Sequence, residues 1–152
     1  MRFESAYFGL IDVNETCTIE FPQGLPGFEE RRRFLPLQNP QQRGLIYLQS
    51  LEDARLCFLS MPVQTLRPEY EIALTPEDRV TLGLPAGGTP VIGRDVAALA
   101  VLSLSEGEPA LANLRSPVVI HMKTRVAVQA IRPDERYRFR EPLVPSGEAV
   151  CW

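Results

Sequence analysis

His121 is the only histidine in the chain, and it sits in the apolar run Val118-Val119-Ile120-His121-Met122. One imidazole with no neighbouring carboxylate provides neither a multi-histidine metal site nor an oriented general base. It reads as a strand residue facing a polar neighbour. The cysteines, Cys17, Cys57 and Cys151, share no CxxC spacing, which argues against a disulfide framework and fits reduced thiols. Cys17 and Cys57 stand in apolar-rich stretches and are expected as small core residues. There is no G-x-S-x-G elbow, and Gly83-Leu84-Pro85-Ala86-Gly87-Gly88 lacks the G-K-[ST] ending of a phosphate-binding loop. Acidic residues pair at Glu52-Asp53, Glu69/Glu71, Glu77-Asp78 and Glu106/Glu108. Catalytic carboxylates need a cleft; on loops and strand edges such pairs make an acidic surface that steers a basic partner. Arg136-Tyr137-Arg138-Phe139-Arg140 alternates cations with rings, a pattern suited to phosphate contact and base stacking. These residues point to a binding protein without catalytic residues, cofactor or metal. A nucleic-acid-binding β domain using residues 136–140 is the alternative.

Charge is unevenly distributed along the chain. Residues 1–122 carry ten cations and fifteen anions, residues 123–140 carry six against two, and the last twelve residues add two acids. The net charge of −3 and the absence of an RNA-binding signature weigh against direct nucleic-acid binding. With 152 residues, 45% of them apolar, the chain can bury a core without metals or disulfides. No apolar run approaches the roughly 20 residues of a membrane helix, and the first residues contain no apolar signal segment. A cytoplasmic location, with no membrane contact, is expected.

The elements that must position these residues are short. Residues 3–13 read as a hairpin turning near Gly9, and residues 16–21 as a half-buried strand. The stretch Phe21-Pro22-Gln23-Gly24-Leu25-Pro26-Gly27-Phe28 combines fixed and permissive backbone, so it forms a rigid turn with an aromatic anchor at each end. Residues 34–37 are expected as a strand at an edge or bulge, because Pro36 lacks a donor. Residues 45–49 and 56–61 read as adjacent antiparallel inner strands, and residues 68–74 as a mixed polar strand. Thr75-Pro76-Glu77-Asp78 opens a short helix. Residues 95–104 form a central strand. Residues 113–117 turn into a hairpin of 118–122 and 126–131. The fold expected is mainly all-β, a small antiparallel β-barrel-like domain with one or two short helices. It spans 1–140, with a loosely held tail at 141–152.

The Pro/Gly turn resembles the F-x-x-G-[IL]-P-G-F loop of the bacterial flagellar assembly factor FliW family. Further landmarks follow in that family's order: Leu48-Gln49-Ser50-Leu51-Glu52-Asp53, the strand Phe58 to Pro62, Glu69-Tyr70-Glu71-Ile72, residues 112–120 around Asn113 and Pro117, and Gln129. The resemblance covers about residues 3–132. It implies a non-enzymatic protein that binds flagellin and sequesters the RNA-binding translational regulator CsrA, relieving repression of flagellin translation. Motif position and charge together make Glu52, Asp53, Glu69, Tyr70 and Glu71 the expected partner surface, with Asn113 fixing a turn. Three features stand outside this pattern, one being the segment from Arg132, which is more basic than the family leads one to expect. His121 occupies a position where the family usually has asparagine, and residues 83–93 form a Gly/Pro-rich loop.

Overall fold

Short apolar runs between turn residues become ten strands in the computed structural model, which describes residues 1–143. Strands β1 (Arg2–Ser5) and β2 (Gly9–Asp12) form a separate hairpin, with Arg2 opposite Asp12 and Ser5 opposite Gly9. Its turn comes just before Gly9, where the Ser5 hydroxyl accepts the N–H groups of Tyr7 and Phe8 at 3.1 Å. The main sheet contains β3 (Ile19–Glu20), β4 (Arg33–Leu37), β5 (Ile46–Ser50), β6 (Cys57–Pro62), β7 (Val96–Ser103) and β8 (Leu111–His121), each antiparallel to the next. The far end of β8 pairs with β9 (Ala127–Gln129) and its near end with β10 (Glu141–Pro142). The Glu20 N–H donates to the Arg125 carbonyl at 3.0 Å, and a parallel bridge joins Glu20 to Val126. Arg125 also donates through its guanidinium to the Cys17 carbonyl at 2.7 Å. These contacts bring β3 round to β9 and nearly close the barrel.

Period-two alternation assigns the core. Phe21, Phe34, Leu48, Leu99, Val118 and Ile120 pack together inside the barrel. Val119, between the last two, packs outward with Ile72, Leu82, Val96 and Val128. Both faces of β8 are therefore buried, which explains its unbroken apolar run. The outer layer is built by residues 63–95, including α1 (Val63–Leu66) and α2 (Pro76–Leu82). Ala98, Ala100 and Ala112 let Val63 and Tyr70 approach the sheet closely. The Thr75 hydroxyl accepts the Asp78 N–H at 3.1 Å, the cap its sequence predicts, and the Asp78 carboxylate accepts the Thr75 N–H at 3.3 Å, which completes a capping box at the start of α2.

The mainly β, barrel-like architecture and the sparse helix agree with the expectation from sequence. Pro36 is accommodated because β3 reaches only Arg33 and Phe34, leaving β4 an edge beyond them. Four local expectations need correction. Residues 68–74 do not form a strand; side chains of the C-terminal segment satisfy their backbone instead. Residues 113–117 lie within β8 rather than in a turn before it. Cys17 is exposed, because residues 15–17 form a 3₁₀ turn capped by Asn14 and β3 begins only at Ile19. The sheet also continues past residue 140: β10 pairs with Ala112 and Leu111, and Leu143 packs against the outer cluster. The remainder of the expected tail, including Cys151, lies outside the described residues.

Candidate functional site

The connection from β5 to β6 is built around one buried amide. Gln49 is fully buried, and its Oε1 accepts the Ser5 hydroxyl at 2.7 Å. Its Nε2 lies 3.0–3.3 Å from the carbonyls of Ser50, Asp53, Ala54 and Leu56. An amide has two hydrogens, so four acceptors share them. Ser50 Oγ accepts the N–H groups of Glu52 and Asp53 at 3.1 and 3.0 Å. This framework presents Glu52 to the chain entering β4, where its Oε1 accepts the N–H groups of Arg32 and Arg33 at 2.7 and 2.8 Å. Asp53 accepts the Arg55 N–H at 3.0 Å and approaches Arg31 at 4.0 Å.

Desolvation raises the Glu52 pKa, but the two N–H groups and the charges of Arg33 and Arg31 outweigh it. The carboxyl is held below its ordinary value of 4.5. A carboxylate with a depressed folded-state pKa adds stability above its unfolded pKa and loses that contribution as pH falls through the folded value. Glu52→Gln is expected to lower stability at pH 7 by about 1 kcal/mol, the difference between charged and neutral acceptors at a solvent-screened site. It should also flatten the decline in stability below pH 4.5, checked by urea unfolding across an acid pH series.

The second acidic group lies on the strap between α1 and α2. Tyr70 is 5% exposed and belongs to the outer core, so it is not the surface anchor expected from sequence. Its hydroxyl donates to the Leu114 carbonyl at 2.5 Å, and its ring stacks on Tyr137 with centroids 4.3 Å apart. Desolvation pushes the phenol up to about 12, despite the opposing charge of Arg132. Arg132 is buried over both rings, donates to the Glu71 carbonyl, and forms two bonds to Asp134 at 3.0 and 3.1 Å. Glu71 is exposed, but its carboxylate accepts from Arg136 at 2.7 Å, and that bond holds its pKa below the usual range. Its N–H donates to the Tyr137 hydroxyl at 3.1 Å. Glu69 is exposed, and no hydrogen bond or ion pair engages its side chain among the described residues.

Asn113 sits at an irregularity in β8. Between the pairs Leu99–Val118 and Val101–Asn113 the register advances two residues on β7 and five on β8. Asn113 Oδ1 accepts the Ser116 N–H inside this bulge at 2.9 Å, fixing it as a turn would be fixed. Leu114 and Arg115 donate their N–H groups to the Arg138 carbonyl at 3.0 and 3.1 Å. Tyr70, Glu71 and Asn113 therefore converge on one structural unit, whereas Glu52 and Asp53 belong to another. No hydrogen bond or ion pair joins the two groups among the described residues.

Most of the Arg/aromatic stretch is engaged within the chain. Arg136 pairs with Glu71, Arg138 approaches Glu141 at 3.8 Å, Tyr137 stacks on Tyr70, and Phe139 lies under Arg115 at 4.6 Å. Sequence reasoning missed Gln49 and Arg132 as organising residues. The only signal for either was a polar side chain beside apolar neighbours. Among the described residues no group of three His, Cys, Asp or Glu side chains could hold a metal, and no helix is long and apolar enough to cross a membrane. His121 ends β8, and its Nδ1 accepts the N–H groups of Lys123 and Thr124 at 3.1 and 3.2 Å. It borders a cleft of about 390 Å³ under the 83–93 loop.

The chain as a whole resembles known proteins. A family model described as FliW protein matches residues 2–143. The chain is 31% identical over 149 residues to the flagellar assembly factor FliW of Shouchella clausii (strain KSM-K16), covering 97% of this chain and 98% of that protein. It is 32% identical over 152 residues to the flagellar assembly factor FliW of Geobacillus sp. (strain WCH70), covering 98% and 99%. A crystal structure of the flagellar assembly factor FliW superposes with a TM-score of 0.81 at 29% identity, covering 95% of this chain and 98% of the other. With the match spanning the whole barrel and its outer layer, this chain belongs to the FliW family.

Proposed function

We propose that this protein is a non-enzymatic flagellar assembly factor of the cytoplasm, which binds flagellin and sequesters a CsrA-type RNA-binding translational regulator. Free of flagellin, it holds the regulator and relieves repression of flagellin translation; with flagellin bound, the regulator is released. The observation that carries this reading is family membership along the full barrel, residues 2–143. The exposed carboxylate of Glu69 and the partly engaged carboxylates of Glu52, Asp53 and Glu71 support a surface that attracts a basic partner. Tyr70 and Asn113 support the Glu69 and Glu71 part of that surface from beneath, by holding the strap and the bulge in β8. Direct nucleic-acid binding is disfavoured because Arg136 and Arg138 are paired with Glu71 and Glu141 and Tyr137 is stacked on Tyr70, so these charges and this ring face are already engaged within the chain.

The test is binding of the purified chain to purified flagellin and to the regulator, separately and in competition, at low and high salt. Each is expected to bind and to displace the other. No binding to either at low salt, where steering is strongest, would end this reading. Glu69→Lys is expected to slow association with the basic regulator about threefold at low salt, with the difference fading at high salt. Stopped-flow association rates measure it.

A further inference from the structure

Two of the features that stood apart in the sequence, His121 and the 83–93 loop, line the same cleft. Its charge opposes that of the whole molecule. Arg79, Arg94 and Lys123 face one carboxylate, Asp95, giving a local formal balance of +2 in a chain of net charge −3. The carboxylate is already occupied. Asp95 accepts from Arg94 at 3.3 and 3.2 Å and from the Val91 N–H at 2.8 Å, and these bonds hold its pKa below the usual range. Arg79 is held by neutral carbonyls, Gly88 at 2.6 Å and Pro85 at 3.5 Å, which fix its position without cancelling its charge. Lys123 is exposed and has no ion pair among the described residues. His121 orders the turn that carries Lys123. Because its Nδ1 accepts two N–H groups, the proton of the neutral ring lies on Nε2, leaving a donor at the cleft.

We propose that this cleft is a second recognition site, which takes an acidic side chain on an extended segment of a protein partner. Leu84, Pro85 and Pro90 supply apolar walls. The cleft also continues: Thr89 and Pro90 line a second depression of about 300 Å³, whose other walls are Gln64, Tyr70, Glu71, Ile72, Val91 and Ile92. A cationic end with apolar walls, running into a trough of mixed polar and aliphatic lining, fits a peptide with a carboxylate beside aliphatic residues better than it fits a compact anion. Arg79, fixed by its carbonyl partners, and the exposed Lys123 supply specificity for the carboxylate, and the trough supplies contact area. The cationic end differs in sign from the acidic surface proposed for the regulator, with which the trough shares Glu71, and its peptide test does not depend on that reading.

The test uses the full ¹⁵N-labelled chain and two N-acetylated, C-amidated peptides, Leu-Asp-Glu-Leu and its neutral counterpart Leu-Asn-Gln-Leu. The acidic peptide is expected to shift the amide resonances of Thr89, Arg94 and Lys123, and the neutral one to leave them in place. Lys123→Glu should weaken binding about tenfold by reversing one of the two uncompensated charges. Lys123→Gln should weaken it less, and it provides a check should the reversed charge disturb the turn. Four results would each overturn the proposal: no shifts at millimolar acidic peptide, equal shifts from the neutral peptide, binding indifferent to both substitutions, or the same shifts from acetate or inorganic phosphate alone. The last would identify a small-anion site instead.

Discussion

Tyr70→Ala is expected to destabilise the protein by about 4 kcal/mol, as for other large-to-small changes at buried aromatic positions, and to lower its melting temperature by roughly 10 °C. Three losses combine. The ring leaves a cavity against Val63, Ala100 and Leu114 in the outer cluster. Its partner Tyr137 loses a stacked face, and Arg132 loses one of its two rings. The Leu114 carbonyl, in the bulge of β8, loses its donor. Tyr70→Phe separates these effects, because it keeps ring and packing and removes only the hydroxyl, for about 1–2 kcal/mol. The phenol supplies an independent signature. Its folded pKa of about 12 lies above the ordinary value of 10.0, so between these values the unfolded chain has lost a proton that the folded protein retains. Stability must fall as pH rises through that window, and Tyr70→Phe should remove this component. Chemical unfolding between pH 8 and 11 measures both. A surface anchor would behave otherwise, leaving stability unchanged and weakening only partner binding.

Tyr70 also illustrates which features were legible from sequence. An aromatic between two glutamates reads as exposed, since nothing nearby in the chain announces that Arg132 and Tyr137 will fold over it. Burial does alternate here, for Tyr70 and Ile72 are buried while Glu69 and Glu71 are exposed. Alternation describes any extended segment lying on an apolar surface, however, and whether its backbone finds a strand or side chains is decided more than 60 residues away. Asn113 and Pro117 similarly suggest a turn; pairing with β7 on both sides turns the same local chemistry into a bulge. Where determinants are local, sequence and structure agree: the Thr75 cap of α2, the β5–β6 antiparallel pair and the proline-limited edge of β4. The acidic candidates were legible as charges but not as a geometry. Glu52 and Glu71 each carry a structural bond that only the fold reveals.

The rigid turn at residues 21–28 yields the other large effect. Gly24→Ala is expected to destabilise the protein by at least about 3 kcal/mol, because αL strain of about 1–2 kcal/mol is joined by a steric clash. Gly24 has φ of +68°, and a Cβ built there would lie 2.5 Å from both the Cα and the carbonyl oxygen of Glu29. Those are backbone atoms and cannot rotate away. The turn has little freedom to yield, since Phe21 and Leu25 are core residues and Phe28, 41% exposed, still meets Phe58 edge-on at 5.4 Å. The control is Gly27→Ala. Gly27 has φ of +83° but open space around the position, so only the conformational term of about 1–2 kcal/mol applies. Equilibrium unfolding in guanidinium should rank the pair clearly, and equal losses would show that conformation alone, without the approach of Glu29, makes Gly24 necessary. The clash also reaches the acidic surface. The turn delivers Arg32 and Arg33 to Glu52, so displacing Glu29 moves the N–H groups that orient that carboxylate. Gly24→Ala should therefore weaken binding of the proposed basic partner under conditions where the variant remains folded, while Gly27→Ala should leave it unchanged.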